Sequence, residues 1–170
     1  MRNIEIKARV KNLSDLVNKI NSITNSGKTI IKQSDIFFNQ EKGRLKLRKF
    51  ESGDAELIYY ERPDIEGPKL SSFEKCDLKF ECVDGLIKVL TTAMGVKGVV
   101  KKERHLYIID QTRIHIDQVE GLGTFIELEV VLREDQTVED GSVIAKDLMQ
   151  KLNIQEEDLL NKAYIDLLLT

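Results

Sequence analysis

Cysteine, proline and histidine each occur only twice in this 170-residue chain, and tryptophan is absent. Two cysteines, Cys76 and Cys82, are too few for a disulfide framework or a four-thiolate zinc site, and they read as reduced, partly buried thiols. His105 and His115 alone cannot support histidine-rich metal chemistry. The two prolines, Pro63 and Pro68, flank Asp64-Ile65-Glu66-Gly67, which reads as one loop. No Pro-, Gly- or Ser-rich linker and no repeat at solenoid spacing divides the chain, so residues 1–170 read as a single domain. No run of about 18 apolar residues is present, which excludes a helical membrane span. Met1–Val10 alternates charged and apolar residues where a signal peptide has an apolar core, and the expected location is the cytoplasm. An excess of one charge sign is also missing. Lys and Arg total 26 against 29 Asp and Glu, a net charge of -3, which argues against a general nucleic-acid binder.

What is present is apolar and charged in alternation. Apolar residues make up 41% and charged residues 32%. The first is too high for disorder, and the second exceeds the usual share of about 25%. Period-2 alternation, the strand signature, runs through Asn3–Arg9, Arg44–Arg48, Arg113–Asp117 and Phe125–Val131. Further strands are expected near residues 28–38, 55–62, 72–79 and 98–110, giving about eight, a number that suits a closed barrel. Helical period marks four other segments. Leu13, Leu16, Val17, Ile20 and Ile23 form one stripe behind Asn12, a good N-cap residue, and Leu86, Leu90, Ala93 and Met94 form a second that ends at Gly95. Ile144, Ala145, Leu148 and Leu152 form a third, and Leu160, Ala163, Tyr164, Leu167 and Leu168 a fourth, in which Tyr164 reads mainly as packing.

The polar faces of the strands are almost wholly charged, each biased to one sign. Arg44, Lys46 and Arg48 are cationic, as are Lys102 and Arg104, whereas Glu127 and Glu129 are anionic. Alternation alone leaves open which face is buried. An ordinary sheet with its charged face in water is one account. The other is a barrel whose apolar face lies outward under the amphipathic helices and whose charged face lines the lumen. Such a lumen needs counter-ions, and so implies a polyanionic ligand with metal ions.

Asn3-Ile4-Glu5-Ile6-Lys7 resembles the N-terminal Glu-x-Glu-x-Lys strand of the CYTH family, the triphosphate tunnel metalloenzymes. Gly43–Arg48, the stretch from Val99 through Lys102-Glu103-Arg104 to Tyr107, Gln111–Asp117 continuing through Val119–Glu129, and Ala163–Leu168 extend the resemblance over nearly the whole chain. The resemblance implies an α+β fold: an eight-stranded antiparallel closed barrel with helices packed outside. It also implies a small-molecule triphosphate substrate, magnesium or manganese as cofactor, and a monomer or homodimer without nucleic-acid or membrane partners.

Matching positions make Lys7, Lys46, Arg48, Lys102, Arg104 and Arg113 the expected phosphate-binding residues. Arg44 joins them by strand parity. Arg62 stands where many members have a lysine. Arginine gives planar two-point contacts to phosphate and lysine a compact charge. Glu5, Asp117, Glu127 and Glu129 are the expected metal ligands, since magnesium takes a few carboxylates and keeps its waters. Glu5, Lys7 and Glu129 are the expected catalytic residues. Lys75 reads as a surface lysine or a further cation, Lys69 as a loop residue near a tunnel mouth, and His115 as bonded to a neighbouring acid or as a lumen proton carrier.

Two departures bear on function. Asn3 replaces the first glutamate of the motif, and the His-Phe pair that precedes it in class IV adenylate cyclases is not present. The expected activity is metal-dependent hydrolysis of tripolyphosphate or a small organic triphosphate. The alternatives are a class IV-type cyclase, converting ATP to cyclic AMP and pyrophosphate, and a non-catalytic polyphosphate or nucleotide binder. The lack of tryptophan counts against a pocket like that of the vertebrate thiamine triphosphatases.

Overall fold

The alternating segments pair until no sheet edge remains. In a computed structural model describing residues 1–170, strands β1 (Arg2–Arg9), β2 (Thr29–Phe38), β3 (Arg44–Phe50), β4 (Ala55–Glu61), β5 (Lys69–Leu78), β6 (Val96–Ile109), β7 (Thr112–Val119) and β8 (Gly123–Val131) form a closed barrel. The order is β1-β5-β4-β3-β2-β6-β7-β8, and every pair is antiparallel. Helices α1 (Leu13–Ile23), α2 (Phe80–Met94), α3 (Val138–Lys151) and α4 (Tyr164–Leu168) lie outside it. No helix is long and apolar enough to cross a membrane.

The apolar face is outward, under the helices. Ile4, Ile6 and Ala8 of β1, Ile114 and Ile116 of β7, and Ile126, Leu128 and Val130 of β8 pack with Leu16 and Ile20 of α1 and with Ala145, Leu148 and Leu152 of α3. Each such side chain taken from water stabilises the fold by about 1.5–3 kcal/mol. A second core joins Val83 of α2 to Phe38, Leu47 and Ala55. A third joins Ala163, Tyr164 and Ile165 to Phe37, Val100, Val119 and Phe125 at one end of the barrel. Gly98 makes that last contact possible, because a Cβ there would stand 2.6 Å from Ile165 Cδ1.

Local signals account for the helix ends. The Asn12 side chain accepts from Asp15 N–H at the start of α1. Gly95 closes α2 at φ 75°, donating its N–H to Thr91 O. The helical stripe from Leu160 is shorter than its pattern suggests. Leu159 bridges to Ala8 and Leu160 N–H donates to Lys7 O, so this stretch runs extended along β1 and the helix starts only at Tyr164. Strand β5 starts at Lys69, earlier than expected, because Lys69 pairs with Glu5 across β1. Cys76 and Cys82 are exposed, not partly buried. Cys76 falls on the outer face of β5 and Cys82 on the first turn of α2, where water reaches both.

Candidate active site

The inward parity of the strands fills the barrel with charge around a cavity of about 360 Å³. Basic side chains outnumber acidic ones in its lining. Cross-strand register explains the arrangement. Asp35 of β2 lies opposite Arg48 of β3, and Arg104 of β6 opposite Asp117 of β7. On β1, Glu5 lies opposite Glu129 and Lys7 opposite Glu127 of β8.

One wall is cationic. Arg48 donates Nε and Nη2 to the two oxygens of Asp35 at 2.8 and 2.9 Å, and Lys46 Nζ donates to Asp35 Oδ2 at 3.1 Å. Burial alone would raise the Asp35 carboxyl, but Arg48 and Lys46 hold it well below the ordinary range. Arg104 grips Asp117 in the same way, with Nε and Nη2 both at 2.7 Å, and also donates Nη2 to Glu127 Oε2 at 3.1 Å. Burial, and then the neighbouring guanidinium groups, lower Lys102 to about 7 and Lys46 to about 8.

The other wall carries the acids of β1 and β8. Glu127 is satisfied: Lys7 Nζ lies 3.0 Å from Oε1, and burial is outweighed by the charges of Lys7 and Arg104, so its carboxyl falls well below the usual range. Glu129 is not satisfied in this way. Burial, then the facing Glu5, raises its carboxyl. Its hydrogen bond comes from Asn3 Nδ2, whose own Oδ1 is buried without a donor. His115 stands 3.7 Å from both Glu127 and Glu129, too far for a hydrogen bond. Burial lowers it to about 4, so at neutral pH its imidazole is uncharged.

The lumen therefore brings together Glu5, Lys7, Lys46, Arg48, Arg62, Lys102, Arg104, Glu127 and Glu129. Arg113 joins them as an exposed cation at the mouth formed with Met1, Phe73 and Val131. Lys75 also lines the cavity, paired with Glu56 at 3.0 Å. Three residues fall elsewhere. Arg44 sits at the rim, held by Asp166 at 2.8 Å and Asp64 at 3.0 Å. Asp117 is fully buried behind the cavity surface, its oxygens taken by Arg104 and by the Tyr164 hydroxyl at 2.9 Å. Lys69 is a wall residue, not a loop guard: its ammonium donates to Ile65 O at 2.8 Å and Leu160 O at 3.1 Å.

Sequence reasoning missed Asp35, which organises the cationic wall. Its only signal is an inward parity shared with Gln33 and Phe37. It also undervalued Tyr164. The ring carries Lys7 Nζ 3.8 Å and Lys102 Nζ 5.0 Å from its centroid, besides packing on Phe125.

The acid wall fits a hard divalent cation. Glu5 and Glu129 face each other, the Asn3 carbonyl oxygen has no donor, and burial and then Glu5 raise the Glu129 carboxyl. No three acid, imidazole or thiol groups converge into a closed cage. A divalent cation here would complete its shell with water and ligand oxygens.

A closed barrel with an inward cationic wall facing an inward acid wall defines a charged-tunnel protein. The chain matches the CYTH domain over residues 1–164 and belongs to that family. It is 26% identical to "Putative adenylate cyclase MJ0240" of Methanocaldococcus jannaschii, with 98% of both chains covered. It superposes on the PH1012 protein of Pyrococcus horikoshii with a TM-score of 0.83 at 29% identity, covering 97% of this chain and 98% of that one. Hippeastrum HpAC1, for which a dominant triphosphatase activity is described, shares the fold at a TM-score of 0.65 and 16% identity, covering 95% and 91%.

Proposed function

We propose that the chain is a divalent-metal-dependent triphosphatase that hydrolyses tripolyphosphate or a small organic triphosphate in the barrel lumen, using magnesium or manganese. The supporting observation is the division of one cavity between a cationic wall and an acid wall where Glu5 faces Glu129 and the Asn3 carbonyl oxygen has no donor. Lys46, Arg48, Lys102 and Arg104 offer their remaining N–H groups to phosphoryl oxygens, with Arg62 and Arg113 completing the ring. Glu5, Glu129 and the Asn3 carbonyl hold the cation. Glu127 and Asp117 position Lys7 and Arg104. A bound cation supplies Lewis-acid stabilisation of the charge that develops on the phosphoryl oxygens and acidifies water. Glu129, with its raised carboxyl, accepts the proton of the attacking water, and Lys7 balances charge on the phosphoryl group. The protein acts on a small molecule in the cytoplasm, as monomer or homodimer, without a nucleic-acid or membrane partner.

A second reading is cyclisation of ATP. Tyr60 and Phe73 line the cavity and offer apolar faces to a base, and the Methanocaldococcus relative carries a cyclase name. The deciding experiment is product analysis with tripolyphosphate, ATP and thiamine triphosphate, each with magnesium, manganese or chelator. Metal-dependent orthophosphate supports the hydrolase. Cyclic AMP with pyrophosphate replaces it with the cyclase, and binding without turnover replaces both with a polyphosphate binder.

A further inference from the structure

His115 of β7 is 3% exposed and lines the same cavity as Glu127 and Glu129 of β8. The register sets it directly opposite Glu127. Its Nδ1 lies 3.7 Å from Glu127 Oε2 and its Nε2 3.7 Å from Glu129 Oε2, both beyond hydrogen-bond reach. Nδ1 is enclosed without a partner, so the ring meets the cavity through its Nε2 edge. Buried polar groups left unpaired are rare in folded proteins, and this one stands between two carboxylates.

A neutral imidazole has one N–H and one lone pair, and the surroundings say which nitrogen carries which. Glu127 is an ionised carboxylate, paired with Lys7 at 3.0 Å and accepting from Arg104 at 3.1 Å. A lone pair enclosed against its oxygen would be repelled, so the proton belongs on Nδ1 and the lone pair on Nε2. Glu129 commits Oε1 to Asn3 Nδ2 and leaves Oε2 toward the ring. Two acceptors therefore face each other at 3.7 Å. Two metal–ligand bonds of about 2.1 Å each can bridge that span. A carboxylate behind the N–H of a ligating histidine is the usual arrangement, and Glu127 stands in that place. The Asn3 carbonyl oxygen, without a donor, belongs to the same wall. No closed cage surrounds the point, so the site stays open to water and further ligand oxygens.

We propose that His115 Nε2 is a ligand to the cation held by Glu129, and that this nitrogen makes the site prefer manganese to magnesium. The inference rests on the reading of the acid wall as a cation site. Magnesium binds oxygen almost exclusively, whereas first-row transition ions accept mixed nitrogen and oxygen donors. A wall of carboxylates alone would discriminate weakly between the two ions. One imidazole added to it gives the discrimination a chemical cause.

Pulsed electron paramagnetic resonance of the full chain with manganese alone tests the proposal. The chain is made with histidine carrying the heavy nitrogen isotope and with His105→Gln, because His105 lies outside the cavity against Glu103 and would otherwise share the label. The bound ion is expected to show hyperfine coupling to the labelled nitrogen of His115. Manganese bound without that coupling overturns the proposal and leaves the acid wall an oxygen-only site. In calorimetric titration the wild-type chain is expected to bind manganese about tenfold or more tightly than magnesium. His115→Gln, which replaces the nitrogen by an amide oxygen, is expected to lose about tenfold for manganese and less than about twofold for magnesium. Equal wild-type affinities, or an equal loss for both ions in the variant, also overturn it. The labelling and the wild-type comparison need no variant of His115 to fold. If neither ion binds, the reading of the acid wall as a cation site falls as well.

Discussion

Arg104 and Asp117 face each other across β6 and β7, joined by two hydrogen bonds of 2.7 Å with the carboxylate completely out of water. The pair faces inward, and Tyr164 and Lys102 close around it. The pair builds part of the cationic wall.

Asp117→Ala should therefore destabilise the protein by about 3–5 kcal/mol, because the guanidinium stays buried without its partner. Urea unfolding with and without tripolyphosphate checks this. The polyanion should restore part of the loss, since it supplies the missing negative charge.

Glu129→Gln should lower metal-dependent phosphate release by about 100-fold or more. Its thermal midpoint should match or exceed that of the wild-type chain, because burial and the facing Glu5 disfavour the charge of Glu129. A large fall in melting temperature would contradict that account of the acid wall.

Lys102, lowered to about 7, sets a pH dependence of known sign. Between about pH 7 and 10.5 the unfolded chain holds this proton and the folded chain does not, so this group adds stability as pH rises through that window. A bound polyanion favours the charged lysine, so binding takes up a proton near and above neutrality and affinity falls as pH rises. Calorimetry in two buffers of different ionisation heat should show the uptake. Lys102→Met should reduce it and should melt higher than the wild-type chain near pH 6.5. The difference between the two proteins cancels the titration of the phosphate itself.

Tyr164→Phe removes one hydrogen bond to a buried carboxylate and should cost about 1.5–3 kcal/mol while sparing the ring beneath Lys7 and Lys102. Tyr164→Leu removes the ring as well and should raise KM further. Equal KM values for the two variants would show that the aromatic face does not position those lysines.

Alternation made the barrel legible. Lys46 and Arg48 share one parity, as do Glu127 and Glu129, and both pairs line the lumen. The residues that escaped notice are those whose role comes from a neighbour on another strand. Asp35 stands before Ile36-Phe37-Phe38 with no charge pattern around it, and only the register with β3 pairs it with Arg48. Tyr164 sits on an apolar helical face, but that face closes the barrel end where lysines converge, so the same ring packs and carries charge. Lys69 was hidden by the nearby prolines, although the pull of β1 pairing extends β5 to include it. Arg44 has the right parity, but its place at the start of β3 leaves it on the rim with Asp64 and Asp166.

The acid wall lies along the seam where β1 meets β8, and Asn3 and Glu129, bonded across it, are 126 residues apart in the chain. Ends so distant meet only after the intervening strands are in place, and loop closure on this scale is slow. The seam also brings Glu5 up against Glu129, a like-charge pair beside the opposite-charge pair of Lys7 and Glu127. Ions that neutralise the lumen are therefore expected to act on assembly as well as on the finished barrel, accelerating the closing step and slowing its reversal.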